Sequence, residues 1–428
     1  MNRANSVASE ATILVGVLLS ERRQSEPSLE ELAGLAKAAG ARVVGELVQR
    51  REAPDKTTYL GKGKVEELKT LAAARDADVV IFDNDLSPAQ IRNLEKVLDR
   101  KVLDRTELIL DIFATRAQTH EARLAVELAQ LEYSMPRLKR LWTHLSRYTA
   151  GIGVRGPGEK QLEVDRRLVE KRIFELRNEL RSIENRRERE VAGRKDLMTV
   201  SLVGYTNAGK STLMNALTGS DVLVRDALFA TLDTRTRRWQ LPGWGPILLS
   251  DTVGFIRDLP HHLIASFKAT LEEARQADLL LHVADAASES VEEQISAAYS
   301  VLEEIGIQQK DTLLLLNKID CVPDTARLHG LINRYPHALP ISARSGAGLP
   351  QLAHAVGEAL SRNFLDLDVE MSVANGRSMA YLAAHGEILS KRYQDSQVVV
   401  HCRMPRRYLR RIEEDGVLVQ PHRNGSGN

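Results

Sequence analysis

A phosphate-binding loop is the feature that most constrains how this chain can fold. Residues 204–211 read GYTNAGKS, which fits GxxxxGK[ST], and they lie between an apolar run at residues 200–203 and a helical pattern at residues 212–217. At such a strand-to-helix turn, glycines let successive backbone N–H groups point at phosphate oxygens. Lys210 can neutralise the charge of the β and γ phosphates, and the Ser211 hydroxyl can ligate Mg²⁺. The loop therefore predicts a nucleotide-binding protein.

Length and composition indicate several globular domains. A chain of 428 residues exceeds what one core usually supports, and 43% hydrophobic residues supply apolar material for more than one. Two cysteines, Cys321 and Cys402, are too few for a disulfide framework or a zinc site, which fits a reducing cytosol. The first residues lack a basic stretch followed by a long apolar run, and residues 13–19 suffice only for a strand. We therefore expect a cytoplasmic protein without a signal peptide or membrane span.

Short apolar runs alternate with helical patterns in residues 1–115, which predicts an N-terminal α/β domain. The runs at residues 13–19 and 79–82 have the length and composition of buried strands. Within this domain the sequence GKGK at residues 61–64 precedes a helix and can contact an anion or an RNA backbone. The alternative is that these lysines are solvated side chains at the start of that helix.

Residues 116–195 predict a basic helical hairpin. Two helical patterns flank a glycine-rich loop at residues 151–160, and the second arm, residues 162–191, repeats apolar side chains at helical spacing. The region carries 19 lysines and arginines against 12 acidic residues. Charges on such a helix can form a solvated face. Excess positive charge beside a four-glycine loop that contains Arg155 also suits contact with an RNA backbone.

The remainder divides into two further predicted domains. Residues 196–364 repeat strand–loop–helix units, with nearly continuous apolar strands such as residues 278–284. Strands of this kind are buried on both faces, so the pattern predicts a mostly parallel sheet with helices on its faces. Residues 365–428 indicate a small C-terminal α/β domain, with a helix over residues 376–392 and a strand at residues 398–400.

A second motif, DTVG at residues 251–254, directly follows a predicted strand about 40 residues after the phosphate-binding loop. At a strand end Asp251 can hold the hydration shell of Mg²⁺, and the Gly254 N–H can reach a γ phosphate. The short pattern DxxG is weak alone. Its distance from the loop makes it a specific sign of a nucleoside triphosphatase.

A third motif, NKID at residues 317–320, follows another apolar run and selects the base. The Asp320 carboxylate can accept hydrogen bonds from N1–H and the exocyclic amine of guanine, whereas adenine offers no matching pair of donors. Asn317 and the stem of Lys318 can hold the base from another side. Ser342-Ala343 then supplies a backbone amide for the guanine carbonyl. The motif order predicts GTP rather than ATP.

Together these motifs resemble those of P-loop GTPases related to translation factors. The sequence FATLDT at residues 229–234 would then be a switch whose threonine reaches Mg²⁺ and the γ phosphate, with Thr231 preferred and Thr234 as the fallback. Ser211 and Thr231 are the expected Mg²⁺ ligands. The expected catalytic residues are Lys210, Thr231, Gly254 and Asn207. The expected nucleotide contacts are Gly204, Tyr205, Thr206, Asn207, Ala208, Gly209, Lys210, Ser211, Thr212, Phe229, Ala230, Thr231, Leu232, Asp233, Asp251, Thr252, Val253, Gly254, Asn317, Lys318, Ile319, Asp320, Ser342, Ala343 and Arg344.

The residue after Gly254 bears on the rate of hydrolysis. Many GTPases place a water-orienting glutamine there, whereas this chain has Phe255, which cannot orient water. The sequence resembles GTPases with a hydrophobic residue at this position, so intrinsic hydrolysis should be slow. In several such relatives an asparagine at the position of Asn207 helps hold a K⁺ ion, which makes K⁺ a candidate second cofactor. The alternative is that Asn207 only forms the loop.

Longer stretches resemble the HflX-type ribosome-associated GTPases. They are DTVGF at 251–255, FATLD at 229–233, GIGVRGPGEKQLEVDRR at 151–167 and YLGKGKVEEL at 59–68. The resemblance runs from about residue 12 to about residue 364. It implies binding of GTP and GDP, association with the large (50S) ribosomal subunit and its rRNA, and a hairpin that faces rRNA near the peptidyl-transferase centre.

The leading hypothesis is a nucleotide-controlled switch that splits or rescues ribosomes under stress, as some HflX-type proteins do. One alternative is a GTPase that assists assembly of the large subunit. Another is an ATP-dependent RNA-remodelling protein, although the chain has no second complete phosphate-binding loop. We expect a monomer in the cytoplasm, associated with ribosomes or peripherally with membrane.

Overall fold

The structure is a computed structural model that describes residues 9–19, 29–141, 157–193, 197–219, 229, 234–242, 244–257, 273–304, 306–307, 311–362, 364–405, 408–414 and 417–422. The chain divides into two compact units. The first contains residues 1–188, 225–233 and 256–270, and the second contains residues 189–224, 234–255 and 271–428. Among the described helices, none combines the length and apolar character needed to cross a bilayer.

A four-stranded parallel sheet forms the centre of the first unit, in the order β2-β1-β3-β4. Its strands are β1 (Ala11–Leu19), β2 (Arg42–Arg51), β3 (Val79–Phe82) and β4 (Lys101–Asp104). Its helices are α1 (Glu30–Ala38), α2 (Lys62–Ala74), α3 (Pro88–Leu98) and α4 (Arg105–Arg116). All four residues of β3 are buried, which explains its unbroken apolar run. The strand order reverses between β1 and β3, which makes their carboxyl ends the topological switch point of this sheet.

The GKGK segment belongs to the start of α2. Gly61 precedes the helix as its N-cap, so Gly63 and Lys64 lie within the first turn. The Lys64 ammonium pairs with Glu67 at 2.8 Å on the same helix. This geometry favours the alternative of solvated lysines at a helix start over an anion contact.

Two long helices, α5 (His120–Leu141) and α6 (Pro157–Gly193), follow α4. They share an apolar core of Leu124, Ala125, Leu128, Ile173, Leu176 and Leu180. Arg172 pairs with Glu127 at 2.8 Å and Arg177 pairs with Glu132 at 2.7 Å, so ion pairs join the two helices along the seam. Residues 157–160, predicted as loop, instead begin α6, because proline suits the first position of a helix. Residues 151–156, including Arg155, lie outside the described part of the chain.

The second unit contains a six-stranded sheet in the order β10-β9-β8-β5-β7-β6, parallel except for the antiparallel pair of β6 and β7. Its strands are β5 (Thr199–Gly204), β6 (Arg235–Leu241), β7 (Gly245–Asp251), β8 (Leu279–Asp285), β9 (Thr312–Asn317) and β10 (Leu339–Pro340). Its helices are α7 (Lys210–Thr218), α8 (Val291–Glu304), α9 (Thr325–Arg334) and α10 (Leu349–Ser361). The predicted mixed α/β fold with a mostly parallel sheet is confirmed.

The same unit ends in a βαββαβ module with an antiparallel sheet in the order β12-β13-β11-β14. Its elements are β11 (Phe364–Ser372), α11 (Gly376–His385), β12 (Glu387–Gln394), β13 (Gln397–Pro405), α12 (Leu409–Glu414) and β14 (Leu418–Pro421). The predicted helix over residues 376–392 is wrong beyond His385. Asp395, with a left-handed φ of 50°, closes a tight turn, and pairing of β12 with β13 outweighs the local helical preference.

Candidate nucleotide-binding site

The phosphate-binding loop connects β5 to α7 and depends on two glycines with positive φ. Gly204 has a φ of 139° and Gly209 a φ of 92°. A β-carbon on Gly204 would collide with the Val283 carbonyl, and one on Gly209 would collide with the Asn317 side chain. Both positions therefore require glycine for space as well as for conformation.

Lys210 is buried and its ammonium lies under the loop. It donates hydrogen bonds to the Gly204 carbonyl at 3.1 Å and to the Tyr205 carbonyl at 2.9 Å. Burial lowers the pKa of Lys210 to about 8, although nearby Asp251 favours the charged form. In the free protein the lysine is therefore mostly charged at pH 7 and loses its proton as the pH rises through about 8.

The Ser211 hydroxyl and the Asp251 carboxylate lie together at the ends of α7 and β7. The hydroxyl donates to Asp251 Oδ2 at 2.6 Å, and Asp251 is completely buried. Both are hard oxygen donors of the kind that Mg²⁺ prefers, one neutral and one anionic. The pair therefore fits the Mg²⁺ role expected of a P-loop protein.

The DTVG segment is bonded directly to the phosphate-binding loop. Thr206 N–H donates to the Phe255 carbonyl at 2.7 Å, and Phe255 N–H donates to the Gly204 carbonyl at 3.0 Å. A β-carbon on Gly254 would lie 2.9 Å from Lys210 Nζ and 2.8 Å from Thr206 Cα, so only glycine fits. The Thr252 hydroxyl donates to the Leu202 carbonyl at 2.7 Å, and the adjacent Val253 is buried.

The Asn317 carboxamide ties the base motif to the phosphate-binding loop. It is 1% exposed, donates to the Ala208 carbonyl at 2.8 Å, and accepts from Ala343 N–H at 3.0 Å. One side chain therefore joins three of the predicted motifs. Ser342-Ala343 was predicted to supply a backbone amide for the guanine carbonyl, and the amide of Ala343 is engaged by Asn317 in this structure.

Asp320 lies exposed in a short 3₁₀ turn at residues 319–321, where a base can reach it. A hydrogen bond from the Ser342 hydroxyl lowers the pKa of Asp320, and the nearby positive charge of Arg344 acts in the same direction. The carboxylate is therefore ionised at neutral pH, as an acceptor for two guanine donors must be. Ile319 N–H donates to the Ile341 carbonyl at 3.3 Å and links this turn to the Ser342 loop.

Of the remaining predicted nucleotide contacts, some lie within the described part of the chain and others do not. Asn207 is exposed and has a φ of 59°, a conformation that asparagine adopts more readily than most residues, and Thr212 lies in the first turn of α7. Phe229 belongs to the first unit, where its buried ring packs edge-on against Phe113 at 4.5 Å. Ala230, Thr231, Leu232 and Asp233 lie outside the described residues.

Comparison with known families and proteins identifies the chain. Three family models match: the N-terminal region of GTP-binding GTPases over residues 26–114, their middle region over residues 116–194, and the 50S ribosome-binding GTPase over residues 199–318. The GTPase HflX of Escherichia coli strain K12 is 48% identical over 373 residues, which cover 86% of this chain and 87% of that protein. The chain belongs to the HflX family of GTPases. The predicted family and the predicted hydrolysis of GTP are both confirmed.

Other HflX relatives extend the match. GTPase HflX of Lacrimispora saccharolytica is 44% identical over 398 residues, covering 92% of this chain and 94% of that protein. Among solved structures, a GTP-binding protein from Sulfolobus solfataricus in complex with GDP is 25% identical, with a TM-score of 0.43, and covers 82% of this chain and 99% of its own.

Sequence patterns missed two features near the HflX motifs. Arg257 is held by the first unit, where its guanidinium donates to Asp83 at 2.8 Å and its carbonyl accepts from Arg105 at 3.2 Å. Arg105 is 3% exposed and also pairs with Asp83 at 2.6 Å and Glu31 at 2.8 Å.

The second feature is Asp285, which pairs with Lys318 at 2.7 Å. Asp83 and Asp285 each lie at the end of a predicted strand. That position is the one feature of the sequence that could have drawn attention to them.

The lowered pKa of Lys210 predicts proton uptake on nucleotide binding at alkaline pH. Phosphate oxygens favour the ammonium form, so GDP binding should raise this pKa. At pH 9 most of the free protein has neutral Lys210, and binding should take up close to one proton. At pH 7 the lysine is protonated before and after binding, so its contribution should vanish.

Calorimetric titration of GDP in buffers of different ionisation enthalpy measures this uptake. The affinity should weaken as the pH rises above about 8. An uptake that stays the same from pH 7 to pH 9 would contradict the assigned environment of Lys210.

Proposed function

We propose that this HflX-family GTPase is a GTP-controlled switch that associates with the large ribosomal subunit. The observation that carries the proposal is the pair of main-chain hydrogen bonds between Phe255 and the phosphate-binding loop. They hold Gly254 against Lys210 and Thr206, where a γ phosphate would have to be accommodated. Only GTP would bring a γ phosphate into this space, so GTP and GDP should favour different positions of the segment.

Each residue of the site is proposed to have a distinct role in GTP hydrolysis. Lys210 neutralises the phosphates, and N–H groups of the loop and of Gly254 stabilise charge on transferring oxygens. Ser211 and Thr231 would ligate Mg²⁺, and Asp251 would hold its hydration shell. When bound, Mg²⁺ supplies charge neutralisation of the β and γ phosphates. Phe255 is buried and offers no hydrogen bond to water from its side chain, so acceleration must come from another group.

The basic hairpin supports a ribosomal partner. Between residues 166 and 186, α6 exposes the basic side chains of Arg166, Arg167, Lys171, Arg177, Arg181 and Arg186. Its apolar side chains Leu168 and Phe174 are 60% and 66% exposed. Positive charge with exposed apolar and aromatic groups suits an RNA backbone with unstacked bases. The family model over residues 199–318 carries the description of a 50S ribosome-binding GTPase. A ribosomal partner would place the protein in the cytoplasm.

More specifically, the protein is proposed to split or rescue ribosomes under stress. Assembly of the large subunit is the second candidate, since the same basic surface and the same switch suit an immature subunit. ATP-driven RNA remodelling finds no support in the N-terminal domain, because the GKGK segment begins α2 and is no complete phosphate-binding loop.

Cosedimentation with purified large subunits tests the switch. A non-hydrolysable GTP analogue should increase the bound fraction over GDP, with a difference in affinity of about tenfold or more. Lys210→Ala should abolish the difference, because the variant cannot hold the phosphates. Equal binding in GTP analogue and GDP would rule out a nucleotide-controlled switch.

A monovalent cation is the proposed source of acceleration. The Asn207 side chain is exposed on the phosphate-binding loop and offers a carboxamide oxygen to K⁺. GTP hydrolysis should therefore run about tenfold or more faster in KCl than in NaCl at equal ionic strength. Asn207→Ala should remove the difference while retaining GDP binding. Equal rates of the unaltered protein in the two salts would leave Asn207 as a loop-forming residue.

A further inference from the structure

Asp285 stands at the end of β8, beside the base motif. It is the register partner of Asn317 on the neighbouring parallel strand β9. Carboxyl ends of parallel strands meet at one edge of a sheet, which is where ligands of such folds bind. The chain just beyond Asp285 is also tied to this motif, because Ala286 N–H donates to the Asn317 carbonyl at 2.9 Å.

Both oxygens of the Asp285 carboxylate are engaged. Oδ2 accepts from the Lys318 ammonium at 2.7 Å, and Oδ1 accepts from Ala287 N–H at 3.0 Å. The backbone bond fixes the orientation of the carboxylate, so the ammonium meets an acceptor that is already aligned. The side chains of Lys318 and Asp285 are 28% and 19% exposed, which shelters the pair from solvent more than a surface ion pair.

The lysine is constrained at its backbone as well. Lys318 has a left-handed φ of 64°, which non-glycine residues seldom adopt, and its carbonyl accepts from Cys321 N–H at 2.9 Å. Its stem therefore starts in a fixed direction and ends on Asp285. A β-carbon placed on Gly209 would lie 3.9 Å from Lys318 Cε, so the stem passes the end of the phosphate-binding loop.

A lysine stem held in this way offers methylene groups as an apolar surface for a purine ring. A lysine side chain otherwise loses much rotamer freedom when it is ordered by a ligand. An ion pair that already exists in the free protein removes most of that entropic cost from binding. It also keeps the ammonium away from the ring face, so only the methylene groups meet the base.

We propose that Asp285 is a positioning residue for the nucleotide: it anchors the Lys318 ammonium so that the stem is ordered against the base before GTP or GDP arrives. The proposal rests on the base-binding role of residues 317–320. Asp285 touches no nucleotide itself, and its whole effect passes through Lys318.

A double-mutant cycle tests this dependence. Asp285→Asn keeps the side-chain shape and the acceptor for Ala287 N–H but loses the ion pair. It should weaken GDP binding about tenfold, and Lys318→Ala should weaken it at least as much. The double variant should bind GDP as Lys318→Ala does. If the two losses multiply instead, Asp285 acts independently of Lys318 and the proposal fails.

Two comparisons separate this proposal from a general structural effect. Glu289→Gln removes an exposed carboxylate four residues along the same connection and should leave the GDP affinity unchanged. Asp285→Asn should weaken GDP and IDP by the same factor, because the stem contacts the ring and not the exocyclic amine. A change in the GDP-to-IDP ratio would overturn the positioning role.

The base-site assignment has its own readout. Asp320→Asn should reduce the ratio of GDP affinity to IDP affinity, because the acceptor for the exocyclic amine of guanine is lost. If that ratio is unaffected, the assignment of residues 317–320 fails, and the proposal for Asp285 falls with it. The losses of GDP affinity for Asp285→Asn and Lys318→Ala could multiply while Asp320→Asn still lowers the ratio of GDP affinity to IDP affinity. That result would overturn only the proposal for Asp285.

Discussion

The nucleotide site depends on one buried carboxamide. Asn317 donates to Ala208 in the phosphate-binding loop and accepts from Ala343 in the loop after β10, at 2.8 Å and 3.0 Å. Both bonds are buried, so removal of either partner leaves a polar group without compensation. Gly209 must lack a side chain because the carboxamide occupies that space. The phosphate and base halves of the site are therefore held in fixed relation before a nucleotide binds.

Beside this fixed centre lie the two groups through which the proposed switch would respond to nucleotide, the DTVG segment and Lys210. Main-chain bonds attach Phe255 to the phosphate-binding loop, and burial lowers the pKa of Lys210 to about 8. In the proposed switch, a γ phosphate would compete for the space beside Gly254 and would further favour the charged form of Lys210. In the proposed switch, this competition would convert binding energy into movement of the DTVG segment.

The sequence predicted what local spacing encodes and missed what depends on distant contacts. The phosphate-binding loop, the DTVG turn and NKID each occupy the strand end that their spacing indicated, because the chemistry of each is carried by consecutive residues. The helix predicted over residues 376–392 ended early, because β12 gains its hydrogen bonds from a partner strand. Asp285 and the Asp83–Arg257 pair belong to no motif. The contact of Asp285 joins neighbouring strand ends, and that of Asp83 joins residues 174 positions apart.

The GDP affinity of Asn317→Asp tests the central claim most directly. The aspartate keeps an acceptor for Ala343 N–H but turns a carboxylate oxygen toward the Ala208 carbonyl, in place of a donor. Loss of a buried hydrogen bond of this kind should weaken GDP binding by about 30-fold or more. Asn375→Asp, which alters the N-cap of α11 to another good capping residue, is the matched control and should bind GDP normally. GDP affinity of Asn317→Asp equal to that of the unaltered protein would contradict a site organised by this carboxamide.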